Sequence, residues 1–257
     1  MKTIDQYNFK NKRALIRVDF NVPQDKNLNV TDSTRIMAVK PTIDKILKDG
    51  GKVILITHLG RPKGQIVSNL SLKNITNKVS EILGVKVIFN ENTIGKETVE
   101  QSNNLNSNEI LLLENVRFYS GEEKGGEEFA KELAKLGDIY VNDAFGAAHR
   151  AHASTTVVAK YFKEKCFGYL MANEIESLNK VIQTERKPIT AIIGGSKVSS
   201  KISIIENILP VIDNLIIGGG MIFTFIKSNG GKIGNSLVEN DYLETALTII
   251  KKAKLYN

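Results

Sequence analysis

Five short apolar runs in the first 145 residues constrain this chain most: "RALIRVDF" (Arg13–Phe20), "KVILIT" (Lys52–Thr57), "VKVIF", "EILLL" ending at Leu113, and "DIYVN". They show little inside–outside alternation, and each is separated from the next by a stretch of helical period or by turn residues. Such runs suit strands buried on both faces, so the pattern predicts a parallel sheet with helices on each side. The first helix is expected from about Ser33 to Asp49, stopped by Gly50 and Gly51, with Pro41 implying a kink or a different start. Further helices are expected over "SLKNITNKVSEIL", before Gly84, and over "GGEEFAKELAKLG", which carries Glu127 and Glu128 in its first turn where the helix dipole favours them. The Asn-rich "EQSNNLNSNE" reads as a surface loop.

From Tyr169 the rhythm changes. A longer helix over 169–187, ended by Pro188, precedes a second series: strand "PITAIIGG", helix "SSKISIIENILP", strand "NLIIGGG", and helices in "MIFTFIKSNGG" and "NDYLETALTIIKKAK". The expected fold class is therefore α/β, with two Rossmann-like three-layer domains. The boundaries are 1–168 for the N-terminal domain, 169–187 for a connecting hinge helix, and 188–257 for a partial C-terminal domain. Two strands and three helices are too few to cover a parallel sheet, so the sequence is expected to be incomplete at its C-terminus.

Composition narrows the class. At 257 residues, 42% hydrophobic and 25% charged, the chain has the balance of a soluble globular protein. Without a long apolar run or an N-terminal h-region, neither a membrane span nor a signal peptide is expected. The single Cys166 points to a reducing, cytoplasmic setting and to a small core residue. The net charge of +7 raises nucleic-acid binding, but the lysines are scattered and no aromatics interleave with them, so that class is set aside. Only seven of the 35 basic residues are arginine. In a lysine-rich chain, arginine marks places where a rigid fork for phosphate or carboxylate is wanted.

Four of the seven follow strand ends or open a helix. Arg61 lies in "THLGRP" and Arg117 in "ENVRFYSGEE"; Arg150 lies in "VNDAFGAAHRAHAST", and Arg35 begins the first helix. Asp19 and Asn21 follow the first strand, and His58 the second. In a parallel sheet these loops share the carboxyl edge, where open α/β sheets bind ligands. They predict a cleft for a small, highly anionic molecule. A second cleft, facing the first, is expected where "GGSKVSSK" and "GGGM" lead into helix N-termini with Lys197 and Lys201. Neither glycine cluster fits the P-loop or the dinucleotide fingerprint. Arg17, in mid-strand, reads as a structural ion-pair partner, and Arg13 and Arg186 as solvated charges. Asp143 reads as a loop brace, His149 as a candidate interdomain contact and His152 as a loop brace. Histidine-based metal binding is disfavoured, since Asp143 is the only carboxylate near His149 and His152.

Taken in order and spacing, "RVDFNVP", "THLGRP", "LLENVRF", "VNDAFGAAHRAH", "GGSKVSSKI" and "IIGGGMIFTF" resemble the phosphoglycerate kinases over essentially the whole chain. The resemblance implies reversible phosphoryl transfer between 1,3-bisphosphoglycerate and ADP, giving 3-phosphoglycerate and ATP, as in glycolysis. It implies a substrate site of Asp19, Phe20, Asn21, Arg35, His58, Leu59, Gly60, Arg61, Arg117 and Arg150. It implies a nucleotide site of Gly195, Lys197, Lys201, Gly218, Gly219 and Gly220, with Arg35, Lys197 and Lys201 acting on the moving phosphoryl group. ATP or ADP is expected as its magnesium complex, and a monomer is the inherited expectation. Members of the family run past Asn257, and the magnesium-binding aspartate and the ribose-contacting acid are expected in that later part. The alternatives are a non-catalytic fragment that retains only 3-phosphoglycerate binding, and a Rossmann dehydrogenase. The second lacks its fingerprint, because "NVPQD" follows the first strand.

Overall fold

The structure is a computed structural model, and it describes residues 2–182 and 187–256. The chain divides into two compact units, Met1–Glu176 and Ser177–Asn257.

The first unit is built on six parallel strands: β1 (Arg13–Arg17), β2 (Lys52–Ile56), β3 (Lys86–Asn90), β4 (Glu109–Leu113), β5 (Ile139–Asn142) and β6 (Glu164–Phe167), in the order β3-β4-β2-β1-β5-β6. The uniformly apolar runs arise because successive side chains enter two different cores. Ala14, Ile16, Val53, Leu55, Ile110 and Leu112 point into one; Leu15, Ile54, Ile56, Leu111 and Leu113 point into the other. The first core is closed by α1 (Thr34–Lys48) and α2 (Lys73–Leu83), through Ile36, Val39, Ile43, Ile75 and Val79. The second core is closed by α5 (Glu127–Ala134), with Phe129 and Leu133, and by the turns around Ala153–Tyr161. Between these lie α3 (Lys96–Asn104) and the single turn α4 (Ser120–Glu123), and α6 (Tyr169–Ile182) follows β6.

Three local expectations change. Helix α1 runs unbroken through Pro41, which lies on the exposed side of the helix with Met37 one turn before it. Half of the Asn-rich loop is α3, whose Ser102 is fully buried. The sheet also has a sixth strand, β6, an edge strand that sequence reading missed because only Cys166 of it is buried. The helix expected over 169–187 is described to Ile182; positions 183–186, including Arg186, lie outside the described residues.

The second unit pairs β7 (Thr190–Gly194) with β8 (Asn214–Gly218) in parallel, and adds α7 (Ile202–Ile208), α8 (Ile222–Ser228) and α9 (Leu243–Leu255). Its core is one-sided. Ile193, Leu215 and Ile217 pack against Ile205, Met221, Phe225, Ala246 and Ile249. The register partners Ile192 and Ile216 project from the other face and are 75% and 52% exposed.

Candidate functional site

The strand order reverses at β1, which has β2 on one side and β5 on the other. In an open parallel sheet the crevice at such a switch point, beyond the carboxyl ends, is where ligands bind. Asp19 follows β1, His58 to Arg61 follow β2, Arg117 follows β4 and Arg150 follows β5, so the topology brings the predicted loops to one edge.

Backbone–side-chain bonds fix these loops. Thr57 Oγ1 accepts from the Phe20 N–H at 2.8 Å, and Asn21 Oδ1 accepts from the Gly60 N–H at 2.9 Å. Gly60 has φ of +63°, and a Cβ there would meet Leu70 Cδ2 at 2.6 Å, so only glycine makes this turn. Buried Asn115 donates from Nδ2 to the carbonyls of Leu59 and Leu70 at 2.8 and 2.9 Å, while its Oδ1 accepts from the Arg117 N–H at 3.1 Å. Glu114 Oε1 accepts from the Asn115 and Leu72 N–H groups at 2.7 and 2.9 Å. Phe20 and Leu59 themselves are core side chains, so a part for them in ligand contact is limited to backbone atoms.

The cations are held in different ways. Arg35 donates to Asp19 Oδ2 at 2.7 Å and is half exposed. Arg117 is 3% exposed and donates from one terminal nitrogen to the Gly60 carbonyl at 2.8 Å. Its Nε lies 3.5 Å from Glu123, without hydrogen-bond geometry. Arg61 is exposed and has no hydrogen bond or ion pair among the described residues. Arg150 donates from Nε to His149 Nε2 at 3.3 Å, and its carbonyl accepts from the Thr155 hydroxyl at 2.7 Å. The loop after β5 runs close to Asp19: a Cβ on Gly146 would stand 3.0 Å from Asp19 Oδ2.

His58 reports the field of this cluster. Its pKa is driven down to about 2, first by burial and then by the charges of Arg17, Arg117, Arg150 and Arg35. Burial likewise lowers the pKa of Arg117; Glu123 opposes this, and Arg150 and Arg17 add to it. Burial and the four nearby arginine charges all favour the neutral imidazole.

Arg17 departs from its expected role. It is 1% exposed and reaches no carboxylate directly among the described residues. Its Nε donates to Ser154 Oγ at 2.8 Å, one terminal nitrogen to the Val18 carbonyl, and the other to His58 Nδ1 at 3.3 Å. Ser154 Oγ donates to the fully buried Glu122 at 2.6 Å. His152 Nδ1 lies 3.7 Å from the same carboxylate. Glu122 and Ser154 carried no sequence signal beyond their place near glycine-rich and alanine-rich turns. Asp143 has the bracing role expected of it: fully buried, it accepts from the Met171 N–H at 3.0 Å, in the first turn of α6.

In the second unit the two glycine clusters meet. Gly219 has φ of +70°, and a Cβ on it would lie 2.8 Å from the Gly195 carbonyl, so the loops after β7 and β8 touch backbone to backbone. The Met221 N–H donates to that carbonyl at 2.8 Å. Lys201 is the N-cap residue of α7, and its side chain passes 3.7 Å from where a Gly195 Cβ would be. The ammonium groups of Lys197 and Lys201 make no hydrogen bond or ion pair among the described residues. Among the described residues, no group of three His, Cys, Asp or Glu side chains could hold a metal ion, and no helix is long and apolar enough to cross a membrane.

Arginines gathered at the switch point of a six-stranded parallel sheet, and a second βα unit carrying glycine loops, define an α/β protein with a cationic edge. The chain belongs to the phosphoglycerate kinase family, whose model matches residues 4–257. It is 49% identical to the phosphoglycerate kinase of Porphyromonas gingivalis, over 98% of this chain and 66% of that one. It is 50% identical to cytosolic phosphoglycerate kinase 3 of Arabidopsis thaliana, over 98% and 63%. Among solved structures, that of phosphoglycerate kinase from Coxiella burnetii superposes with a TM-score of 0.84 at 39% identity, covering 99% of this chain and 64% of that one. The chain thus spans about two thirds of the length of these relatives.

Proposed function

We propose that this chain carries the phosphoglycerate-binding half of a phosphoglycerate kinase together with part of its nucleotide site. The reaction is reversible phosphoryl transfer between 1,3-bisphosphoglycerate and ADP. The observation that carries the reading is the topology that brings Arg35, Arg61, Arg117 and Arg150 to the carboxyl edge of one parallel sheet, beside a buried His58 whose pKa the charges of Arg17, Arg117, Arg150 and Arg35 help to lower. A three-carbon acid bearing phosphate supplies anionic groups for such a cluster, and the resemblance assigns its glycerate end to Asp19 and Asn21.

The chemistry needs no general base, because the accepting carboxylate is already ionised at neutral pH. The work left to the protein is positioning and charge neutralisation on the transferred phosphoryl oxygens. Arg35 is the group assigned to that charge. Its ion pair with Asp19 is half exposed and open to exchange for a ligand. On the nucleotide side, the close backbone approach of Gly195 and Gly219, with Gly218 and Gly220, and the unpaired Lys197 and Lys201 fit the phosphates of ADP or ATP. Bound magnesium adds charge neutralisation on those phosphates; no residue of this chain is assigned to it. Donor and acceptor must come into line for transfer, and α6, which spans the boundary between the two units, is the assigned hinge. Relatives named as cytosolic support a cytoplasmic setting, and a monomer is the expected state.

Calorimetry with 3-phosphoglycerate and with ADP–magnesium, alongside a coupled turnover assay, tests this. Binding of both ligands with turnover supports the kinase reading. Binding of 3-phosphoglycerate alone makes the chain a binding fragment. Binding of neither overturns the assignment of the arginine cluster.

A further inference from the structure

The imidazole of His58 sits between groups that make opposite demands on it. Nδ1 faces the Arg17 terminal nitrogen at 3.3 Å and Asp19 Oδ1 at 3.8 Å. An arginine nitrogen can only donate, so a bond at 3.3 Å requires a lone pair on Nδ1. Asp19 would instead favour a proton there, but 3.8 Å is outside hydrogen-bond range, and its other oxygen is already engaged by Arg35 at 2.7 Å. Nε2, across the ring, has no partner among the described residues and is not sealed from solvent. Arg17 is itself fixed by Ser154 and the Val18 carbonyl, and its charge is answered through the Ser154 hydroxyl by buried Glu122. It cannot swing away without leaving two buried groups unpaired.

We propose that Arg17 is a positioning residue that locks His58 in its neutral Nε2–H tautomer, so that the cleft presents one fixed hydrogen-bond donor to its anion. The inference rests on the proposed reading of the cleft as a phosphoglycerate site. The groups facing His58 are Arg17 and Asp19 from β1 and the loop after it, Arg35 from α1, Arg117 from the turn after β4 and Arg150 from the loop after β5. The four cations oppose a second proton on the ring, and Asp19 alone favours one. His58 therefore stays a neutral donor through the physiological range, and anion binding does not vary with its titration.

The test is side-chain 15N spectroscopy of the histidine-labelled chain between pH 5 and 8. His149→Gln and His152→Gln variants assign the other two rings. The wild-type His58 ring is expected to show protonated Nε2 and bare Nδ1 throughout, with no titration. In Arg17→Met, Nδ1 is expected to take a proton from the Asp19 side and the ring to titrate within this window. With its lone pair then toward the ligand at pH 8, 3-phosphoglycerate affinity falls about tenfold or more, and it recovers as the pH drops. Arg17→Lys keeps the charge without the fork and is expected to lose the single tautomer if Arg17→Met does not fold. A wild-type ring carrying its proton on Nδ1, or a tautomer unchanged in a folded Arg17 variant, overturns the proposal. Absence of 3-phosphoglycerate binding with the expected tautomer defeats the site assignment and leaves the lock standing.

Discussion

Arginines that look alike in sequence have different work at the level of single residues. Arg61 holds nothing among the described residues, whereas Arg117 holds the Gly60 carbonyl from a buried position. Arg61→Ala should therefore leave stability within about 0.5 kcal/mol of wild type and reduce 3-phosphoglycerate affinity in calorimetry. Arg117→Ala should lose affinity and also lower the unfolding midpoint, because Gly60 and the surrounding turn lose their anchor. Arg13, expected to be a solvated charge, is a clamp. It donates to Asp138 at 2.8 Å, to Asn103 at 2.7 Å, and to Ser102 and the Lys135 carbonyl at 3.2 Å. Arg13→Ala should cost about 2 kcal/mol in urea denaturation. Burial raises the Asp138 pKa, but the hydrogen bonds and charge of Arg13 outweigh that and leave it below the ordinary carboxylate value. A depressed folded pKa gives stability that is present above the unfolded value, near 4, and is lost as the pH falls through the folded one. The difference between wild type and Arg13→Ala should accordingly shrink below about pH 4.

Whole elements show where local rules give way. Pro41 sits within α1 although it lacks a donor. The cost is tolerated because Ile36, Val39, Ile43 and Ile46 are buried in the core while Pro41 itself is exposed. Pro41→Ala restores the hydrogen bond and should stabilise the chain by about 1–2 kcal/mol in thermal unfolding. At the start of α6, a Cβ on Gly168 would lie 2.3 Å from Asp143 Cγ, while Asp143 accepts from the Met171 N–H. Gly168→Ala should destabilise by about 1–3 kcal/mol through this overpacking. Helix α3 was unreadable for a related reason. "KETVEQSNN" has almost no apolar face, and its helix is held by Arg13 reaching Ser102 and Asn103 from β1, some ninety residues away. Strand β6 escaped notice because an edge strand with one buried residue has no apolar run to see.

Across the whole molecule, the two units differ in how their sheets are covered. The first buries its sheet on both faces. The second leaves Ile192 and Ile216 open to solvent. Local stability follows buried apolar contact, so hydrogen exchange should release the amides of β7 and β8 well before those of β1, β2, β4 and β5. Simultaneous exchange in both sheets would show that the units unfold as one.

The sequence by itself determined the α/β class, five of the six strands of the first sheet and the identity of the arginines that line its edge. These follow from local chemistry: apolar runs demand burial, and a rare rigid cation in a lysine-rich chain marks an anion site. It also located both glycine loops. Only the tertiary structure decided which arginine is exposed and unpaired and which is a strut, and that Arg17 faces an imidazole and a serine instead of a carboxylate. It alone joined Glu122, Ser154, Arg17, His58 and Asp19 into one line. Those partners lie as far as 137 residues apart along the chain, and a side chain's hydrogen bonds are set by what folding brings within about 3 Å of it, which no local pattern records.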